Sequence, residues 1–513
     1  MEQFNIVDLF YASAKRNPGK TAIVYKGQKI SFGEFEKQVT NTAAYFLKKG
    51  IRKGDRVMLF VPMSFDLYRI VLALFRIGAT AVFLDEWVSK KRMEACCKVA
   101  QCEAFIGIFK ARILSFFSSE LRKIPIHLGV NYSPSDLNRD FPATSKEDTA
   151  LITFTTGSTG IPKAAKRTHG FLHAQFNALI AKIQPQEDDI DMPVLPIVLL
   201  INLGTGTTSV IADFKASKPD SLQPEKITEQ LKINSVNRVT ASPFFIKEIS
   251  KHVVKNKITL PELKKIFTGG APVFPGEAAI YNKAFPGALI QIVYGSTEAE
   301  PISAIDVKEL VKTENSILEK GLNVGKPDKN ATVKIIRIVD APLLVNNEAE
   351  LSELEVREKN IGEIIVSGDH VLREYFNNPE GLKRNKIFIG EKCWHRTGDS
   401  GYLDEEGNLF LTGRCATLIN RNGKIIAPFI YESFFQTIPG VEMGTVLLKG
   451  QKLIAVLELN ELSQKKMAEE KAGAGGIDFD KIIFLEKIPR DPRHNSKIDY
   501  NLLQLQLNEY RNQ

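Results

Sequence analysis

The sequence predicts an α/β fold: a large N-terminal domain with parallel βα layers and a β-rich subdomain, plus a small α+β C-terminal lid domain. Three observations carry that expectation. Through the first 300 residues, short β-branched or apolar runs alternate with helical stretches, the rhythm of right-handed βαβ crossovers in a mainly parallel sheet. From about Asn323 the texture changes to alternating segments separated by turn residues, which reads as hairpins. After Arg414 come roughly a hundred residues with room for a few strands and a closing helix,. At 513 residues the chain is too long for one compact core,, and the boundary is placed between 413 and 414.

Taken in order, residues 56–61 (RVMLFV) form a strand closed by Pro62. Residues 66–77 then place apolar side chains at helical spacing, and Gly78 stops the helix,. Residues 80–84, 104–108 and 289–293 are further strands, the last ending in a tight turn at Gly295. The uncharged run 192–212 is long enough to span a bilayer,. It contains Pro193, Pro196, Asn202, Gly204 and Gly206, and reads instead as a strand and a buried loop. Alternation over 333–338, 362–368 and 401–412 gives the β-rich unit,. Residues 465–476 (KKMAEEKAGAGG) read as a surface loop and 500–510 as an amphipathic helix,.

Composition narrows the function. Apolar residues make up 43% and charged residues 25%, an ordinary globular balance that excludes collagen-like, coiled-coil and disordered chains. The net charge of +8 is small for the length and interspersed, so nucleic acid is not an expected partner. No transmembrane segment is expected. Five cysteines, Cys96, Cys97, Cys102, Cys393 and Cys415, give an odd count without framework spacing. They suit a reducing cytoplasm, each as a buried small hydrophobe. The first 17 residues lack the apolar core of a signal peptide,. His169 and His173 stand four apart, but without an HExxH glutamate or a third ligand they do not predict zinc.

The segment 151–163 (LITFTTGSTGIPK) carries the strongest chemical signal. An apolar strand runs into hydroxyls and glycines and ends in a lysine. Glycines let backbone N–H groups approach a phosphate, the hydroxyls of Thr155, Thr156, Ser158 and Thr159 add donors, and Lys163 adds charge,. Pro162 stands where a Walker A loop has its second glycine, so this is a different phosphate loop,. A solvated turn is the plain alternative.

This loop resembles that of the adenylate-forming superfamily, which includes acyl-CoA synthetases, peptide-synthetase adenylation domains and luciferases. Further segments are similar to the same family in the same order: Gly269-Gly-Ala-Pro272, Tyr294-Gly-Ser-Thr-Glu298, Trp394-His-Arg-Thr-Gly-Asp399 with Gly401-Tyr-Leu-Asp404, Gly413-Arg414, and Asn495-Ser-Lys497. The resemblance implies an AMP-forming synthetase that takes ATP, Mg²⁺ and a small-molecule carboxylic acid to acyl-AMP and pyrophosphate. It places ATP or AMP against Thr155, Thr156, Gly157, Ser158, Thr159, Gly160, Lys163, Gly270, Ala271, Tyr294, Gly295, Asp399 and Arg414. It implies that Glu298 holds Mg²⁺, Thr297 donates to the α-phosphate, Tyr294 stacks near adenine and Asp399 accepts from the ribose. Lys497 would bridge the α-phosphate and the attacking carboxylate. Since both reactants are anions, positioning and charge neutralisation supply most of the catalysis. Each residue has a bland rival: Asp399 as a turn aspartate, Glu298 as the cap of a following helix, Lys497 as a solvated lysine.

Departures from the family pattern bear on the substrate. After Leu195-Pro196 many relatives carry an aromatic or histidine gate, whereas this chain has an aliphatic run through Leu200, Asn202 and Gly204. That wall favours a long-chain acyl group, each buried CH₂ contributing about 0.8 kcal/mol; core filling is the equal alternative. Ala416 stands where the family usually has Asp or Lys at its hinge, and 422–428 is only loosely similar to the loop that admits pantetheine. Residues 294–303, 373–379, 414–416 and 491–498 resemble one branch, the olefin-pathway β-lactone synthetases. That resemblance implies a β-hydroxy fatty acid, a lactone product and partner enzymes of a lipid or hydrocarbon pathway. A fatty acyl-CoA ligase, a carrier-loading enzyme and a non-catalytic acyl or nucleotide sensor are the rivals, and the use of CoA is left undecided. The retained Lys163, Glu298, Asp399, Arg414 and Lys497 argue against the sensor.

Overall fold

The computed structural model describes residues 3–84, 90–132, 140–155, 162–215, 218–357, 359–473, 478–490 and 498–509. Two large sheets organise the first part. One has eight strands, in the order Ala299–Asp306, Leu289–Ser296, Lys265–Gly269, Arg238–Ala241, Ile190–Pro193, Thr208–Val210, Thr21–Tyr25, Gln28–Ser31. Its neighbours are parallel except at the two ends, where hairpin partners run antiparallel. The other has seven, in the order Tyr375–Phe376, Lys163–Thr168, Thr149–Thr155, Thr80–Phe83, Arg56–Phe60, Ala104–Gly107, Ile126–Leu128. From Thr149–Thr155 outward it is parallel. Crossover helices such as Phe65–Arg76, started by the Ser64 hydroxyl accepting from the Leu67 N–H, cover these sheets and bury separate apolar clusters,.

The hairpin region forms a six-stranded antiparallel sheet: Leu322–Asn323, Leu409–Arg414, Lys392–Leu403, Gly362–Ser367 and Thr332–Ile336 in order, with Lys386–Ile389 paired to Lys392–Leu403. Beyond it, Val441–Lys449, Lys452–Leu459 and Lys481–Leu485 make a small sheet packed by helices Pro428–Thr437, Lys465–Gly473 and Tyr500–Glu509. The two apolar clusters of this last unit draw every buried member from residues 419–507. Gly413 stands at the junction with φ +123°, and a Cβ there would lie 2.7 Å from Cβ of Phe429; only glycine fits that approach.

Several sequence expectations need correction. The run 192–212 is not a strand and loop: helix Pro196–Thr205 occupies its centre, with Pro196 in its first turn and Gly206 closing it at φ +82°,. A helix whose first six residues are all apolar carries little 3.6-residue contrast, so periodicity does not reveal it,. Of the expected loop 465–476, residues 465–473 are helical, burying Ala468 and Ala472, and 474–476 lie outside the described residues. The turn after Leu289–Ser296 falls at Thr297–Glu298, not at Gly295, which lies within the strand. Cys102 and Cys415 are half-buried, unlike Cys96, Cys97 and Cys393.

Candidate active site

The parallel registers bring separate motifs to one sheet edge. Gly269 pairs with Val293 on the neighbouring strand, and a Cβ on Gly269 would sit 2.4 Å from the Val293 carbonyl oxygen. Close strand approach therefore demands glycine and sets Gly270 (φ +87°) and Ala271 beside Tyr294,. In the other sheet the register pairs Thr155 with Lys163 across an antiparallel pair. Thr156, Gly157, Ser158, Thr159 and Gly160 lie outside the described residues, as do the side chain of Thr155 and the whole of Lys497.

Glu298 occupies the turn between strands Leu289–Ser296 and Ala299–Asp306, so the capping role is excluded: a strand follows it, not a helix. Its side chain is 9% exposed, and Oε1 accepts from the Tyr375 hydroxyl at 3.0 Å. Burial, then the charge of Glu298, pushes the Tyr375 phenol upward, so it remains a donor,. Arg167 donates to the carbonyl of Thr297 at 3.1 Å, tying this turn to strand Lys163–Thr168. Lys163 donates to Asn385 Oδ1 at 3.1 Å and stands 5.9 Å from the Tyr375 ring centre,. Burial lowers its pKa, and Glu298 opposes that shift.

A second group lies at the junction. Asp399 and Arg414 face each other across paired strands, their side chains 3.0 Å apart. Arg414 also donates to the Thr397 carbonyl at 3.0 Å, and the charge of Asp399 raises its pKa further. The Tyr294 hydroxyl donates to the other Asp399 oxygen at 2.7 Å, and burial holds that phenol well above its usual value. Asp399 is therefore a strand residue in a fixed orientation, not a turn aspartate. Each oxygen retains a lone pair for a further donor such as a ribose hydroxyl. Gly295 keeps Tyr294 against the adjoining strand, since a Cβ there would lie 2.9 Å from the Ala299 carbonyl oxygen.

Sequence reasoning missed Lys386. It opens strand Lys386–Ile389 opposite His395, is 3% exposed, and its Nζ has no hydrogen-bond partner among the described residues. The ammonium stands 5.7 Å from the Tyr375 ring centre, as Lys163 does at 5.9 Å. Burial pushes Lys386 down to about 8. Tyr375, which lies between these lysines and Glu298, and Asn385, which accepts from Lys163, have no role in the sequence reading either. Tyr375 lies in the quoted segment 373–379, but nothing local marks Lys386.

Leu200 and Gly204 line an apolar cavity with Phe10, Leu72, Phe75 and Phe176. Gly204 admits Phe176, whose ring would stand 2.9 Å from a Cβ at that position. Asn202 is a correction: it does not line the cavity but is buried on another face. It donates to Asp191 at 2.8 Å and Ser209 at 3.0 Å and accepts from Arg238 at 2.7 Å. His169 accepts the Ile6 N–H at 3.2 Å and His173 lies against Phe4. No group of three metal-ligating side chains occurs among the described residues.

The fold, together with the family and relatives it matches, is that of an acid-activating, adenylate-forming enzyme. The chain belongs to the AMP-binding enzyme family, whose model matches residues 10–376. It is 28% identical over 502 residues to the olefin beta-lactone synthetase of Stenotrophomonas maltophilia (strain K279a), covering 91% of this chain and 89% of that protein. It is 28% identical over 439 residues to a putative acyl-CoA ligase of Bacillus subtilis (strain 168), covering 82% and 80%. Among solved structures, O-succinylbenzoate coenzyme A synthetase from Bacillus subtilis, in complex with ATP and magnesium ion, superposes with a TM-score of 0.79 at 21% identity. The match covers 97% of this chain and 99% of that one. The amide bond synthetase of Marinactinospora thermotolerans gives 0.80 at 19%, covering 98% and 99%.

Proposed function

We propose that this enzyme uses ATP and Mg²⁺ to activate a long-chain β-hydroxy fatty acid, and that the substrate's own hydroxyl then closes a β-lactone. In the first step a carboxylate oxygen bonds to the α-phosphorus as the bond to pyrophosphate breaks. In the second the β-hydroxyl oxygen bonds to the acyl carbon, AMP departs with the C–O electron pair, and the hydroxyl proton is released. Proximity replaces a second substrate in this closure. The observation that carries the reading is the similarity to an olefin beta-lactone synthetase along 91% of the chain. Ala416 in place of the family's charged hinge residue accords with it.

Residues 1–413 would hold the nucleotide and acid, and residues 414–513 would form the lid that supplies Lys497. The site fits a hard divalent ion. Glu298 presents a carboxylate that the Tyr375 hydroxyl engages through one oxygen, and Mg²⁺ takes one or two carboxylates plus phosphate and water. Bound there, the ion would offset polyphosphate charge; Lys163 would add a fixed cation, while Tyr294 and Arg414 hold Asp399 for the ribose. The apolar cavity at Leu200 and Gly204 has a volume of about 50 Å³, so it would have to widen to take a long alkyl chain.

The test is product analysis with long-chain acids with and without a β-hydroxyl. CoA-independent loss of water from the hydroxy acid, with release of AMP, is the expected result. The second reading, an acyl-CoA ligase, is favoured by the similarity to the putative ligase of Bacillus subtilis. A thioester formed only with CoA would replace the lactone by that reading.

Lys386 adds a separate prediction. Its buried ammonium lacks an acceptor among the described residues, a cost that a bound polyphosphate would offset. Lys386→Met is expected to raise the KM for ATP about tenfold, one charge-assisted contact being worth roughly that factor. The same change alters stability against pH. Folded Lys386 titrates near 8, below the ordinary lysine value of about 10.4, so between those values the unfolded chain binds more protons and stability rises with pH. Melting temperatures of the two proteins without nucleotide should converge as pH is raised through that window, with the variant higher at its lower end.

A further inference from the structure

Five large apolar side chains stand exposed within nine residues: Phe109, Ile113, Leu114, Phe116 and Phe117, each 44–74% accessible. Scattered exposed hydrophobics are ordinary, but a contiguous cluster marks a contact surface. The cluster is not a frayed end. Helix Phe109–Ser115 buries Ala111 and Ser115, and Leu121 and Ile124 anchor the segment that follows. The Ser118 hydroxyl accepts from the Leu121 N–H and donates to Glu94 at 3.1 Å. The apolar faces are therefore held outward by a fixed backbone.

Charge gives the patch a direction. Lys110, Arg112, Arg122 and Lys123 are all exposed around it. The nearest carboxylates are already engaged: Glu120 pairs with Lys123 at 2.8 Å and Glu94 accepts from Ser118. Residues 90–132 carry eight basic and three acidic side chains, a local excess the chain as a whole does not show. Protein interfaces are depleted in lysine at their centres. Phenylalanine ringed by lysine and arginine instead suits an anionic lipid surface, where rings sink to the acyl boundary and cations meet the headgroups.

Topology places this face at the active edge. Strands Thr149–Thr155, Thr80–Phe83, Arg56–Phe60 and Ala104–Gly107 are successive parallel neighbours. The chain thus leaves all four at the same edge, into the phosphate-loop sequence from the first and into the patch from the last. Three strand spacings separate them, about 14 Å. Among the described residues no helix is long and apolar enough to cross a membrane.

We propose that the surface formed by Phe109, Ile113, Leu114, Phe116 and Phe117 with its flanking cations docks the enzyme on anionic phospholipid bilayers, beside the mouth of the acid-activating site. The inference stands whichever product the enzyme makes. It is tested by co-sedimenting the full chain with vesicles of phosphatidylcholine alone or mixed equally with phosphatidylglycerol. Binding to the mixed vesicles is expected, falling about tenfold on phosphatidylcholine alone or at high salt. Phe116→Ser/Phe117→Ser should weaken binding to the mixed vesicles about tenfold, with melting temperature and ATP–pyrophosphate exchange unchanged because both rings are exposed. Equal binding by variant and parent, or no binding by the parent, would overturn the proposal. So would a lipid-free dimer that the variant abolishes, which would assign the face to a second copy.

Discussion

Glu298→Gln is expected to lose adenylation by about 10²–10³-fold, the scale on which removal of one electrostatic stabiliser acts. The amide keeps the shape of the side chain and an oxygen to accept from the Tyr375 hydroxyl, now 3.0 Å from Oε1. The turn at 297–298 is also held by backbone and neighbours: Leu372 N–H donates to the Glu298 carbonyl at 2.7 Å, and Arg167 donates to that of Thr297. What the substitution removes is the negative charge, which a hard divalent ion requires and a neutral amide does not supply. Pyrophosphate exchange measures the step, and a melting temperature close to that of the parent separates it from unfolding. A loss below about tenfold, less than the 1.4 kcal/mol that such a factor represents, would remove Glu298 from the ion-binding role. Tyr375→Phe should cost less, since it frees an oxygen without changing the charge.

The sequence conveyed the site unevenly, for physical reasons. Lys163, Glu298, Asp399 and Arg414 stand in short motifs whose wording is constrained by backbone as well as chemistry. Gly269, Gly295, Gly401 and Gly413 are needed where a Cβ would strike a neighbouring strand or helix, so Glu298, Asp399 and Arg414 travel with steric markers that can be read in one dimension. Lys386 and Asn385 have no such marker. Lys386 stands over Tyr375, which pairs its strand with Lys163–Thr168 and approaches Glu298 across 77 residues of sequence, and Asn385 meets Lys163 directly. A lysine at the start of a short strand looks solvated until its sheet partners are known. The same limit applies to helix Pro196–Thr205, where apolar residues on every face erase the pattern that separates helix from strand,. The parallel sheets were legible because each crossover repeats the same local grammar. The pairing order that carries Asn202 into the core was not.

Arg238→Met should destabilise the large part of the protein by about 3–5 kcal/mol, the cost of breaking a buried ion pair by removing one partner, while leaving the chemistry intact. Arg238 is 1% exposed and pairs with Asp189 at 2.6 Å; it also stands 3.4 Å from Asp191. Its remaining nitrogen donates to Asn202, which in turn donates to Asp191 and Ser209. This network sits where strands Ile190–Pro193 and Arg238–Ala241 begin, whereas Gly270 and Tyr294 lie where the parallel strands Lys265–Gly269 and Leu289–Ser296 end. Methionine fills the arginine stem but takes the guanidinium away from both carboxylates, leaving Asp189 the more distant Lys265 at 3.9 Å and Asp191 without its ion-pair partner. Burial already raises the pKa of Asp191, and Arg238 is the first influence holding it down. With the arginine gone, folded Asp191 is expected to bind its proton to higher pH than the unfolded chain does. Stability then falls as pH rises through the widened gap, so the deficit of the variant should be smaller in mild acid than near neutrality. Denaturant unfolding of both proteins at two pH values measures it, with pyrophosphate exchange at low temperature expected near the parental rate. A deficit independent of pH would show that lost packing, rather than uncompensated charge, sets the cost.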